Sequence, residues 1–191
     1  VADVGPYETA KLRMLNGAHS ALAYLGLAKG LELVSQAIAD PEIGLLVGRL
    51  MRDEAAASFI PAPGQDLAAY AASLEARFTN PALPHRLAQI AMDGSQKIPQ
   101  RWLATLADRQ AQGLSSPATL KALAAWIVHV RGDNPYVSDP RARTMAAAWQ
   151  TAGRDGIVQA LFGEGGLIAS PWQPTADDLQ RLQDHLDTMA D

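Results

Sequence analysis

Four polar side chains near the beginning of the chain have residue types and spacing suited to proton transfer on a bound ligand. They are Glu8, Lys11, Asn16 and His19, and leucines and alanines surround them in the sequence. On a helix that turns by about 100° per residue, Glu8, His19 and Asn16 lie about 60°, 80° and 140° from Lys11. All four therefore share one side of the predicted helix, and we expect that side to form the wall of a site.

The chemistry of this group depends on a lysine placed among apolar residues. An ammonium that is taken out of water loses its proton more readily, so Lys11 is a candidate general base. Asn16 and His19 are candidate donors to an oxygen that gains negative charge during the reaction. Glu8, one turn before Lys11, is a candidate relay that passes the proton to solvent. The same spacing is also typical of a surface Glu8–Lys11 ion pair next to a histidine packed in the core.

A second group of residues surrounds the turn Asp93-Gly94-Ser95. We predict that Ser95 caps a new helix and that Lys97 lies in its first turn. There the backbone N–H groups and the lysine together favour an anionic or hydroxyl-rich ligand. A plain helix–turn–helix with a surface lysine is the alternative interpretation of the same residues.

Composition limits the class of protein. The chain has 191 residues, a hydrophobic fraction of 48%, a charged fraction of 19% and a net charge of −4, which is typical of a globular protein and argues against a general nucleic-acid binder. No apolar run approaches the roughly 18 residues that a membrane span needs. Cysteine is absent, which excludes a disulfide framework and favours a reducing compartment such as the cytoplasm. The four histidines lack the spacing of a zinc site, so no metal is expected.

Helical periodicity extends over nearly the whole chain, and no segment alternates with the period of a strand. We therefore predict an all-α fold in which residues 1–191 form one multi-helix domain. Helices are expected at about 7–29, 31–39, 41–58, 67–78, 84–92, 95–112, 118–130 and 176–189, with one more after Asp139-Pro140. Besides Ser95, the predicted N-caps include Asp40, Asp66, Ser116 and Thr175. The glycine-rich stretch 163–166 follows no predicted strand, so we expect a loop there rather than a phosphate cradle.

Residues 11–26, KLRMLNGAHSALAYLG, carry the pattern Lys-x4-Asn-x2-His on Lys11, Asn16 and His19. With this pattern the chain resembles the C-terminal domain of the polyol-specific long-chain dehydrogenases, a family that includes mannitol 2-dehydrogenase and fructuronate reductase. The stretch from Asn80 to Arg101, which ends in QIAMDGSQKIPQR, is similar to another segment shared by that family. The resemblance is dense over residues 3–103 and thinner afterwards.

The resemblance implies a metal-independent hydride transfer between a secondary alcohol and NAD. It implies that an N-terminal Rossmann-type dinucleotide-binding domain, absent from this chain, carries the cofactor, while the helical domain supplies the substrate wall. Lys11 is then the general base, Asn16 and His19 hold the substrate oxygen, and Lys97 contacts substrate hydroxyls. Because the chain starts at Val1 without an initiator methionine, we expect it to be a piece of a longer enzyme, with tag removal or simple loss of the methionine as the alternative. We expect it to be inactive alone, because hydride transfer needs a bound nicotinamide held against the substrate.

The resemblance leaves the substrate open between two branches of the family. Gln89 stands where some mannitol 2-dehydrogenases have arginine, and the block around it is more similar to fructuronate reductases. A uronate carboxylate needs a cation, for which Arg86, Lys97 and Arg101 are the candidates. The expected reaction is the interconversion of D-mannitol and D-fructose, and that of D-mannonate and D-fructuronate is the alternative. A non-catalytic helical interaction module is the alternative from another class of protein.

Overall fold

Helices joined by turns and loops make up the computed structural model, which describes residues 4–189. Within that range there is no β-strand, and a single isolated bridge pairs Leu33 with Arg86 in antiparallel orientation. The predicted all-α class is confirmed. None of the helices in the same range is long and apolar enough to cross a membrane.

The helices follow one another in a simple order. The α-helices are α1 (Gly5–Ala10), α2 (Gly17–Ala28), α3 (Val34–Ala39), α4 (Pro41–Arg49), α5 (Leu67–Phe78), α6 (Leu87–Ile90), α7 (Gly94–Ile98), α8 (Ala104–Ala111), α9 (Pro117–His129), α10 (Ala142–Phe162) and α11 (Ala176–Met189). Three π-helical segments, which we call the first, second and third π segments, are Lys11–Asn16, Leu50–Ala55 and Pro99–Leu103. The first joins α1 to α2, the third joins α7 to α8, and the second continues α4 into the 3-10 turn Ala56–Ser58.

The first π segment changes the geometry on which the predicted site face rests. A π turn closes its hydrogen bonds between residues five apart and therefore holds one residue more than an α turn. Lys11 and Asn16 are the two ends of this segment. The angles that an ideal α-helix assigns to the four polar side chains therefore do not apply across it.

Short-range capping signals correctly predict where three helices begin. The Asp40 carboxylate accepts hydrogen bonds from the N–H groups of Glu42 and Ile43 at the start of α4, both at 3.0 Å. The side chains of Asp66 and Thr175 likewise each accept a backbone N–H in the first turns of α5 and α11. These contacts satisfy N–H groups that have no partner within their own helix.

Ser116 is the N-cap residue of α9, as predicted, but its side chain does not cap the helix. Ser116 makes no capping hydrogen bond, because its hydroxyl accepts one from Nε of Arg109 at 2.9 Å. Glu54, from the second π segment, takes its place: its carboxylate accepts the N–H groups of Ala118 and Thr119, each at 2.8 Å. The Glu54 side chain is buried. A carboxylate far away in the sequence therefore caps α9, where it also complements the positive end of the helix dipole.

The predicted cap of α7 is wrong as well. Ser95 lies inside α7, which begins at Gly94 and has Asp93 at its N-cap. Asp93 adopts left-handed backbone angles, with φ of 57°, and its side chain makes no capping hydrogen bond. The Ser95 hydroxyl instead donates a hydrogen bond to Asp139 at 2.6 Å.

Two helices are shorter than predicted because their flanking residues pair with each other. The N–H of Leu87 donates to the carbonyl of Glu32 at 2.9 Å, and the N–H of Val34 donates to the carbonyl of His85 at 3.0 Å. This pairing holds Leu33 and its neighbours in extended conformation. As a result α3 and α6 begin later than the residues 31 and 84 expected from periodicity.

The core forms around α2 and α9, which pack against each other, and α11 covers the other side of α9. All four tryptophans are buried: Trp102, Trp126, Trp149 and Trp172. The indole N–H of Trp102, in the third π segment, donates to the carbonyl of Gly17 at the start of α2, at 3.1 Å. This bond and the burial of the indole fix the third π segment, and with it Arg101, against the beginning of α2.

Candidate active site

The four polar side chains of the first helix differ in exposure. Glu8 and Lys11 are exposed, whereas Asn16 and His19 are half-buried. The prediction that apolar neighbours take Lys11 out of water is therefore wrong for this chain, because Lys11 begins the first π segment, where the register of an ideal α-helix no longer holds. In residues 4–189 neither Glu8 nor Lys11 takes part in an ion pair.

His19 is held between two rings. The centroid of its imidazole lies 4.8 Å from that of Phe78, at the end of α5, and 6.2 Å from that of His85. Burial lowers the pKa of His19 to about 4, and the nearby charges of His85, Arg77 and Arg101 act on it in the same direction. His19 is therefore a neutral imidazole near pH 7, with one ring nitrogen that donates and one that accepts.

Arg101 reaches the same region from the third π segment. Its Nη1 donates to the hydroxyl of Ser20 at 2.7 Å and to the backbone carbonyl of Asn16 at 3.4 Å. Burial lowers the pKa of Arg101, and the influence of Tyr24 opposes that shift. The structure thus places this predicted substrate residue directly beside Asn16.

Lys97 lies in α7, with its side chain half-buried. Its Nζ donates to the backbone carbonyl of Met92 at 2.6 Å. Burial lowers the pKa of Lys97, and the positive charge of Arg101 acts in the same direction, while Asp93 and Asp139 oppose the shift. The electrostatic influence between Lys97 and Arg101 indicates that these two predicted substrate residues share one part of the surface.

Arg86 stands apart from this group. Its backbone forms the bridge to Leu33, while its side chain is exposed and makes no hydrogen bond or ion pair to any residue that the structure describes. The neighbouring His85 approaches His19 instead. Sequence patterns assign no role in this site to His85, Phe78 or Arg77, although the resemblance over residues 80–101 marks the segment that contains His85.

In the part of the chain from 4 to 189, no group of three histidine, aspartate or glutamate side chains is placed to hold a metal. The glycine-rich stretch 163–166 is a loop after α10 and follows no strand, as expected. The arrangement around His19 offers the neutral imidazole and the nearby positive charge of Arg101 to a polar organic ligand.

Comparison with known proteins identifies the family that this chain resembles. Residues 3–166 match the family model described as the mannitol dehydrogenase C-terminal domain. D-mannonate oxidoreductase of Escherichia coli is 40% identical over 93% of this chain and 37% of its own length. Mannitol 2-dehydrogenase of Phaeosphaeria nodorum is 35% identical over 86% of this chain and 30% of its own length. The chain thus spans about a third of the length of these relatives.

Solved structures share the fold over nearly the entire chain. The ternary complex of Pseudomonas fluorescens mannitol 2-dehydrogenase with NAD and D-mannitol matches with a TM-score of 0.89 and 27% identity. That match covers 100% of this chain and 39% of the dehydrogenase. A D-sorbitol dehydrogenase in substrate-free form matches with a TM-score of 0.79 at 24% identity, which shows the fold alone.

Proposed function

The chain belongs to the mannitol dehydrogenase C-terminal domain family, and we propose that it forms the substrate side of the active site of an NAD-dependent polyol dehydrogenase. One observation carries the proposal. Asn16 and His19 lie on the helix that also carries Lys11, and Arg101 packs against that helix beside them. The proposal requires a dinucleotide-binding domain in addition to this chain, which covers 37% of the length of the E. coli D-mannonate oxidoreductase and 39% of the dehydrogenase solved with NAD. We call this chain together with that domain the complete protein.

In the proposed reaction, a secondary alcohol loses a hydride from carbon and a proton from oxygen and becomes a ketone. NAD, when bound, accepts the hydride. The amine of Lys11 takes the hydroxyl proton as general base. Lys11 is exposed in this chain. The cofactor domain and the bound substrate would cover it and exclude water, which favours the neutral form of the amine. Glu8, one turn earlier on the same exposed surface, would pass the proton to solvent.

Asn16 and His19 are proposed to stabilise the alkoxide character of the substrate oxygen. A neutral imidazole with its pKa near 4 stays a hydrogen-bond donor and acceptor throughout the working pH range and does not compete with Lys11 for the proton. The half-buried position of both side chains strengthens their hydrogen bonds relative to bulk water.

The first candidate substrate pair is D-mannitol and D-fructose, and similarity to the complex that contains D-mannitol supports it. A second candidate, D-mannonate and D-fructuronate, is favoured by a different observation. Arg77 and Arg101 both act on His19 as nearby positive charges, and Lys97 lies within electrostatic influence of Arg101. A carboxylated substrate would find its counter-charge there. The 40% identity to the E. coli D-mannonate oxidoreductase points in the same direction.

The experiment that tests the proposal follows loss of NADH by the complete protein with D-fructose and, separately, with D-fructuronate. Faster turnover of D-fructose supports the polyol pair, and faster turnover of D-fructuronate supports the hexonate pair. If neither compound is reduced, the dehydrogenase proposal fails and the non-catalytic helical module gains support. The 191-residue chain alone, mixed with NAD and D-mannitol, serves as the control and is expected to show no turnover.

A further inference from the structure

The turn before Lys97 is tied to a loop from the second half of the chain. Both oxygens of the Asp139 carboxylate bind Ser95: one accepts its backbone N–H at 2.7 Å and the other its hydroxyl at 2.6 Å. The N–H of Asp93 donates to the carbonyl of Ser138 at 2.8 Å. Three hydrogen bonds therefore join residues 93–95 to residues 138–139.

The same turn has little freedom to adopt another conformation. Asp93 has a φ of 57°, a region that residues with a side chain rarely adopt without support from their surroundings. Gly94 follows in a crowded position, where an added Cβ would clash with the indole nitrogen of Trp126 and lie 2.5 Å from the Tyr24 hydroxyl. That hydroxyl donates to the carbonyl of Ala91 at 3.0 Å. The turn is therefore fixed from α2 on one side and from the 138–139 loop on the other.

The first turn of α7 has no cap of its own. The helix continues through the third π segment into α8, but its N-cap residue, Asp93, contributes no side-chain hydrogen bond. The Asp139 carboxylate supplies the missing acceptor at the first turn, and Ser95, its partner, is buried. Lys97, two residues after Ser95, donates a hydrogen bond from its ammonium to the carbonyl of Met92.

We propose that Asp139 is a positioning residue, which acts through Ser95 to hold Lys97 in place for substrate binding. This inference rests on the proposed function, because it takes Lys97 to contact the substrate. The second half of the chain then contributes to the site indirectly. Asp139 does not touch the substrate, but it fixes where α7, the helix that carries Lys97, begins. Removing its carboxylate should therefore weaken substrate binding and leave the proton-transfer step at Lys11 largely intact.

The kinetic test uses the complete protein with D-fructose or D-fructuronate, whichever it reduces faster. Asp139→Ala is expected to raise KM for that substrate about tenfold, the typical effect of losing charged hydrogen bonds, with kcat changed less than about threefold. Asp139→Asn keeps one carbonyl acceptor and should show a smaller rise, which also covers the case in which the alanine variant does not fold. Asp66→Asn, the same change at the exposed cap of α5, is the matched control and should leave KM unchanged.

A double-mutant cycle separates positioning from general stability. If Asp139 acts through Lys97, Asp139→Ala raises KM in the wild type and has no further effect when Lys97 is already alanine. Equal rises in both backgrounds, or an unchanged KM in Asp139→Ala, would overturn the inference. An unchanged KM in Lys97→Ala alone would instead show that the substrate role given to Lys97 is wrong, so the two failures are distinguishable.

Amide hydrogen exchange of the complete protein provides a readout that needs no catalysis. We expect Asp139→Asn to accelerate exchange of the Ser95 N–H and its neighbours in α7 by at least about tenfold, while α9 and α11 keep their protection. Exchange in α7 that matches the wild type would contradict the proposed anchoring. Uniform acceleration across all helices would assign Asp139 a purely global role and would overturn the inference too.

Discussion

The guanidinium of Arg101 and the hydroxyl of Ser20 meet at 2.7 Å between the third π segment and α2. The Ser20 side chain is buried, and the Arg101 guanidinium binds the carbonyl of Asn16 as well. This relationship joins a residue from the middle of the sequence to the helix that carries the proposed base. The candidate site is therefore assembled by packing between two π segments rather than by one helix face.

Arg101→Gln in the complete protein tests whether Arg101 binds the substrate. The neutral amide of glutamine replaces neither the positive charge nor the pair of hydrogen bonds to Ser20 and Asn16. We therefore expect KM for the substrate to rise roughly tenfold. The rise should be larger with D-fructuronate than with D-fructose if the guanidinium binds a carboxylate. Arg143→Gln, at an exposed position of α10, is the control and should leave KM unchanged. Equal KM values for wild type and Arg101→Gln would remove this residue from substrate binding.

Lys11→Ala tests the proposed general base. Loss of the amine should lower kcat by about 10²- to 10⁴-fold, because the hydroxyl proton then has no positioned acceptor. Small primary amines added to the assay should restore part of the rate. Lys29→Ala removes an exposed lysine that pairs with Asp40 and Glu42, and kcat should not change in that control. A rate within a factor of about two of the wild type would exclude Lys11 as the base.

Asn16→Ala tests stabilisation of the substrate oxygen. The side chain is half-buried, and removing one preorganised donor to a developing oxyanion lowers kcat by about 10²- to 10³-fold in enzymes that depend on it. The thermal midpoint of the variant should stay within a few degrees of the wild type. If the midpoint falls and kcat per folded molecule does not, Asn16 contributes to packing only.

The two histidines with lowered pKa make stability depend on pH. Burial lowers the pKa of His19 and of His129 from 6.5 to about 4. Between these values the unfolded chain binds protons that the folded chain excludes, so the free energy of unfolding is fully retained above pH 6.5 and falls as the pH drops towards 4. We expect a loss on the order of 4 kcal/mol, about 2 kcal/mol for each histidine, between about pH 7.5 and 5, measured by urea unfolding. A profile that stays flat over this range would contradict the burial of both rings.

Glu54→Gln tests the long-range cap of α9. The Glu54 carboxylate is buried and accepts three hydrogen bonds, from the N–H groups of Ala118 and Thr119 and from the Thr119 hydroxyl. An amide turns one acceptor into a donor aimed at those N–H groups, so unfolding should become easier by about 2–3 kcal/mol. Asp66→Asn, at an exposed cap, should cost about 1 kcal/mol or less. Equal losses in both variants would show that burial adds nothing to the Glu54 cap.

Sequence alone predicts the features that short stretches of chain determine. The all-α class follows from periodicity, and the Asp40 and Asp66 caps follow from a residue and the two or three that come after it. The family resemblance carried by residues 11–26 is confirmed by the match of residues 3–166. Each of these signals lies within one continuous segment, and so it is visible before any packing is known.

The features that sequence does not predict depend on contacts between distant segments. Glu54 displaces Ser116 as the cap of α9, and Asp139 binds Ser95 across 44 residues of sequence. Neither partner is marked by local spacing. Sequence does not predict the exposure of Lys11 for a related reason. A helical wheel assumes one constant number of residues per turn, and a π turn within a helix changes that number. Nothing in the residue types marks where the π turn occurs.

The first π segment also has a consequence for how this helix tolerates insertions and deletions. Since a π turn contains one surplus residue, deleting a single residue between Lys11 and Asn16 would let the chain close into an uninterrupted α-helix with every backbone hydrogen bond retained. Because the π turn takes up its extra residue locally, the turns on either side keep nearly the same rotation with or without it. Glu8 and Lys11 would therefore keep their direction relative to Asn16 and His19. Deleting one residue from the regular helix α2 would instead rotate everything before it by about 100°. The π segment is thus the place where this helix tolerates a one-residue gap without turning the proposed base away.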